Sequence, residues 1–184
     1  MMYPVDLHAV GLVLGLALIL GHVWALLKPS ATESALKNFP RSRAAGTVLI
    51  AIAGIWGFIL ITTMDLGEFA HLRRVMAIAV VAGTYLSWRY MDEFLAVRAL
   101  GMIALLAAEP ILEAAFLRPE TSRLLVVVLA YVWIILGLFW VGMPWVLRDQ
   151  ITWLTSQKLR LKAAMVGGIV YGAAVLFCAV ALWK

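Results

Sequence analysis

Residues 105–116 read LLAAEPILEAAF. Glu109 and Glu113 stand one helical turn apart with Pro110 between them, inside an apolar run bounded by Arg98 and Arg118. At a rise of ~1.5 Å per residue, a run of this length crosses about 30 Å of hydrocarbon. Glu109 falls near its middle. A carboxylate there is costly unless it is paired, protonated or hydrated. Pro110 leaves the carbonyl of Leu106 without its helical donor. Whether this run is a membrane helix or a core helix decides the fold, and the rest of the chain settles it.

The chain has 184 residues, of which 65% are hydrophobic and 14% charged. Soluble domains are about half apolar, and a soluble fold of this length could not hide so much apolar surface. The class is therefore an integral membrane protein. The net charge of +5 is spread over short loops between apolar runs. That distribution follows the positive-inside rule and points away from nucleic acid as a partner.

Six apolar spans are expected, at about 5–27, 44–64, 72–90, 99–117, 123–147 and 163–183, forming one all-α transmembrane domain over 1–184. The first is read as a mature helix, because the leading MMYPVD carries no Lys or Arg and no small-residue cleavage site follows. The third is the weakest: only its stretch 75–88 is free of charge.

With the N-terminus outside, the inner segments carry Lys28, Lys37, Arg41, Arg43, Arg89, Arg98, Arg148, Lys158, Arg160 and Lys162. The outer segments carry Arg73, Arg74, Arg118, Arg123 and Lys184. Both termini are thus expected outside, in a membrane such as a bacterial cytoplasmic membrane. Trp24, Trp88, Trp145 and Trp153 then fall near the inner interface and Trp183 near the outer one, as an aromatic belt. Two inner segments look interfacial. In the first, Ser30 and Glu33 have capping-box spacing and Pro40 stops a short helix over 31–39, with Leu36 and Phe39 toward lipid. The second, RDQITWLTSQKLRLK, mixes apolar and basic residues.

Glu109, Glu113 and Arg89 are the candidate proton or ion site. Glu109 is expected to face the bundle interior as a neutral acid, because an isolated charge at mid-membrane costs far more. Glu113 lies nearer the outer surface, with Arg118 or Arg123 as partner. Arg89 reads either as half of a salt-bridged inner turn with Asp92, Glu93 and Arg98, the favoured reading, or as a cation reaching into the bundle.

His8 and His22 share one face of the first span, and His71 stands at the outer end of the third. No haem is expected on balance. A bis-histidine haem b between His8 and His71 is the one cofactor arrangement the chain allows. The stronger reading is packing. His8, Gly11, Gly15, Leu18 and His22 recur at helical spacing, and Gly168 and Gly172 repeat the small-residue theme on the sixth span. Asp65, Glu68, His71, Arg73 and Arg74 crowd one outer loop without recognised metal-ligand spacing. Trp56, Trp133 and Trp140 could line a pocket for an apolar ligand, although core packing is their default role. Cys178 reads as a small buried residue.

The sequence contains no P-loop, GxSxG or CxxC motif, and nothing in it points to an enzyme. Three functional readings follow. The first is a non-catalytic subunit or scaffold of a larger membrane complex, with lipid and other membrane subunits, or copies of itself, as partners. The second is a small proton-linked transporter or channel using Glu109. The third is a haem- or quinone-binding redox subunit.

Overall fold

The structure is a computed structural model that describes residues 5–91 and 93–183. Asp92 of the third-to-fourth turn and Lys184, counted among the outer cations, lie outside the described residues. Eight α-helices form among them: α1 (Leu7–Leu27), α2 (Pro29–Asn38), α3 (Arg43–Thr63), α4 (Arg73–Tyr90), α5 (Leu95–Ala115), α6 (Leu124–Gly142), α7 (Trp145–Thr155) and α8 (Lys158–Ala181). Short 3-10 turns cover Phe39–Arg41, Gly67–Leu72 and Thr121–Arg123. No strand occurs among the described residues. Helices α1, α3, α4 with its leading turn, α5, α6 with its leading turn, and α8 are long and apolar enough to cross a membrane. The fold is an all-α helical membrane bundle.

Several boundaries depart from the sequence reading, each for a local reason. The helix expected over 31–39 begins at Pro29, where proline loses nothing because the first N–H groups have no intrahelical partner. Ser30 therefore lies inside the helix and is not its cap. Glu33 instead pairs with Lys37 at 2.6 Å, one turn on. That hydrogen bond and charge hold the Glu33 carboxyl below the usual carboxylate range.

The fifth span stops at Gly142 instead of running to 147, because Pro144 disfavours helical geometry before it and lacks an N–H. A separate helix, α7, restarts at Trp145. The sixth span starts at Lys158, earlier than the expected 163. The basic stretch read as interfacial loop is thus divided between α7 and the first turn of α8. The fourth span starts at Leu95, after Phe94 in a left-handed conformation with φ of 58°.

Arginines meet the C-terminal ends of three spanning helices. Arg73 donates to the Thr62 carbonyl at 2.6 Å and the Met64 carbonyl at 2.8 Å, at the end of α3. Arg98 donates to the Val141 carbonyl at 2.8 Å, at the end of α6. Arg123 donates to the Ala115 carbonyl at 2.8 Å, at the end of α5. The last carbonyls of a helix have no intrahelical donor and carry the negative end of its dipole, so a cation there satisfies both.

The chain divides into two compact units. The first holds residues 1–37, 107–133 and 148–184. Here α1 packs along α8, and the described N-terminal end is tied to the α5–α6 loop by the Asp6–Arg118 ion pair. The Tyr171 hydroxyl of α8 donates to the Leu125 carbonyl of α6 at 2.6 Å. Trp183 is not a belt residue. It is only 2% exposed, packs on Gly11 and donates from Nε1 to Ser122 Oγ at 2.8 Å. By contrast Trp24, Trp88, Trp145 and Trp153 are all exposed.

The second unit holds residues 38–106 and 134–147. Its core joins Ile50 of α3 to Leu95 and Ala99 of α5, flanked by Leu49 and Met102. Gly101 and Gly137 let α5 and α6 cross closely. A Cβ on Gly101 would lie 2.8 Å from the Gly137 carbonyl oxygen, and one on Gly137 would lie 2.9 Å from that of Gly101. Close backbone approach at small residues is how helices gain dispersion contacts in lipid, where no hydrophobic force draws them together.

Candidate functional site

The carboxylates of LLAAEPILEAAF lie in the first unit, on a helix that continues through Pro110. Ala108 and Ile111 are buried. Glu109, one residue past Ala108, is half-buried and flanks that buried face instead of occupying it. It makes no hydrogen bond or ion pair among the described residues. Glu113 is also half-buried and has an interaction of its own. Of the two arginines expected beside it, Arg118 pairs with Asp6 and Arg123 donates to the Ala115 carbonyl. Two acids one turn apart on one stripe repel each other when both are ionised.

Arg89 is exposed at the end of α4, with its guanidinium 5.6 Å from the Tyr90 ring centroid. It does not reach into a core. His71 is exposed in the turn before α4, where Nδ1 lies 3.0 Å from the Glu68 carbonyl oxygen. His71 belongs to the second unit and His8 to the first. His8 Nδ1 lies 2.7 Å from the Ala179 carbonyl oxygen of α8. Among the described residues no group of three or more His, Cys, Asp or Glu could hold a metal ion. In the crowded loop, Asp65 accepts from the Gly67 N–H at 3.0 Å, which makes it a turn residue.

The glycines of α1 and α8 face each other. A Cβ on Gly11 would meet Trp183 and Ala179, and one on Gly15 would lie 2.9 Å from Leu176 Cβ. One on Gly172 would lie 2.9 Å from Leu18 Cβ, and one on Gly168 would overlap the His22 ring. The seam has no room for larger residues.

Helix α4 is packed differently. It has no buried residue. Its close line to α3 runs through Gly54 and Thr84, where a Cβ on Gly54 would lie 2.5 Å from Thr84 Oγ1. Apolar clefts of about 410 and 580 Å³ open beside that line, sharing Ile50, Gly54 and Thr84. Ala79, Gly83 and Ser87 recur every fourth residue along the smaller cleft. Nothing lies within 4 Å of where a Gly83 Cβ would be. This small-residue stripe escaped the sequence reading, although its spacing is visible there.

These features define a multi-pass membrane protein with a glycine-packed helix pair and one sparsely packed spanning helix. No family model, no curated protein and no solved structure matches the chain.

Proposed function

We propose that this protein is a non-catalytic subunit of a larger membrane assembly and that it docks through α4. One observation carries the reading. The spanning segment with the lowest mean hydropathy of the six is also the one with no buried residue. A helix poorly suited to lipid is left uncovered by its own chain. Its small-residue stripe would let a neighbouring backbone approach, and its short charge-free stretch is of the kind that favours helix association over lipid contact. The partner is a further membrane helix, from another subunit or from a second copy. The test is the mass of the particle extracted from native membranes, before and after the stripe is filled with leucine.

In the same reading both termini face outside, in a bacterial cytoplasmic membrane. Cys178, the only cysteine, is buried. Single cysteines placed at 30–43 or 150–160 would then label only in permeabilised cells, and those at 65–70 in intact cells.

A second reading rests on Glu109. A mid-span acid without a hydrogen bond or ion pair among the described residues, one turn from another acid, suits a proton or cation site better than a structural contact. On that reading the protein is a small proton-linked transporter.

A further inference from the structure

The first unit contains a cavity of about 380 Å³ lined from α1, α2, α6, α7 and α8. Most of its wall is Leu, Ala and Met, including Leu36, Leu154 and Met165. Leu36, expected to face lipid, instead forms part of this wall. The polar-tipped side chains in the lining are His22, Thr32 and Trp133. Such a volume, with apolar walls and few polar groups, is typical of small-molecule sites.

The bonds of Thr32 and His22 show what each offers. Thr32 is buried and its hydroxyl is committed to the Lys28 carbonyl at 3.0 Å, with the Ala25 carbonyl at 3.4 Å. It offers no free proton. His22 Nδ1 lies 2.7 Å from the Leu18 carbonyl oxygen. A carbonyl only accepts, so a proton sits on Nδ1, and in that tautomer Nε2 carries a lone pair that can accept. Nε2 has no hydrogen-bond partner among the described residues, yet it is not a sealed atom. The contact with Gly168 fixes the ring from the α8 side. His22 thus brings to a largely apolar lining, which also includes Trp133, an acceptor nitrogen with no hydrogen-bond partner among the described residues.

We infer that this cavity binds a membrane-soluble molecule with an apolar body and one hydroxyl, of the phenol or hydroquinone type, which donates its O–H to His22 Nε2. A carbonyl or ether oxygen would find no donor on His22. A wholly apolar molecule would fill the space and leave Nε2 without a partner. This inference is independent of docking through α4, which concerns the second unit.

The probes are para-octylphenol and octylbenzene, which differ by the hydroxyl. Their binding is compared by equilibrium dialysis against the intact protein in lipid nanodiscs, corrected for empty nanodiscs. The expected result is octylphenol binding about tenfold tighter than octylbenzene, the order of one hydrogen bond in an apolar site. His22→Phe, which keeps a ring and removes the acceptor, should bind both equally. His22→Asn, which keeps an acceptor, should recover part of the preference. Equal binding of the two probes by the unaltered protein, or binding of neither, overturns the inference without any variant. A preference that persists in His22→Phe overturns it as well.

Discussion

The imidazole of His22 lies where a side chain on Gly168 would be, so α1 and α8 meet at this level through a ring packed on bare backbone. The neighbouring Gly167 has nothing within 4 Å of its missing Cβ. The two adjacent glycines should thus respond oppositely to alanine. Gly167→Ala should be neutral or stabilising by about 0.5–1 kcal/mol, since glycine is the weaker helix former. Gly168→Ala must turn the His22 ring off the Leu18 carbonyl and should cost about 1–3 kcal/mol. Reversible unfolding in mixed micelles would measure both. Equal effects would mean that the ring is not seated there.

Arg73 and Arg74 provide a similar pair. Arg73 holds the Thr62 and Met64 carbonyls at the end of α3, whereas Arg74 is exposed and makes no hydrogen bond among the described residues. Arg73→Ala should lower stability by about 0.5–1.5 kcal/mol, discounted for partial exposure. Arg74→Ala should leave it unchanged within error. Identical unfolding curves for the two variants would remove the helix-end role from Arg73.

Class and span number were legible because membrane helices announce themselves by length and apolar content, and the seam glycines because small residues at helical spacing are a local pattern. What was missed depends on contacts distant in sequence. Arg98 looked like part of an inner charge cluster, but its partner is a carbonyl on α6. Trp183 read as an interfacial aromatic, and only α1 packed beside it shows that Gly11 receives its ring. The cavity around His22 needs five helices to close. The Pro144 break was legible in principle, since a proline removes a helical hydrogen bond and clashes with the preceding turn, although α5 continues through Pro110.

The Glu33–Lys37 contact sets a pH response outside the membrane. The folded state depresses the Glu33 carboxyl, first through the hydrogen bond from Lys37 and then through its charge. Its contribution to α2 is therefore present above the unfolded carboxylate value and is lost as pH falls through the depressed one. Near neutrality α2 should not respond. Carboxyl-carbon NMR should place the Glu33 midpoint below the usual 4.5, and Lys37→Met should raise it. A midpoint unmoved by that substitution would contradict the contact.

Glu109 separates the two functional readings. Glu109→Gln keeps the shape and offers a permanent donor, so folding should survive it. A scaffold should assemble as before, and a proton-linked transporter should lose proton-coupled flux in proteoliposomes while staying folded. Glu113→Gln should change little in either case. Full assembly of Glu109→Gln together with lost proton flux would favour transport over a purely structural role.

The central claim is that α4 is a docking helix, and the most direct measurement is the native mass of the complex extracted from membranes into polymer nanodiscs. The unaltered protein should run in a particle heavier than one chain. Ala79→Leu with Gly83→Leu should release a folded single chain, because nothing lies within 4 Å of where a Gly83 Cβ would be and the stripe borders an open cleft. A single chain from unaltered membranes, or an assembly that survives the double substitution intact, would contradict the account.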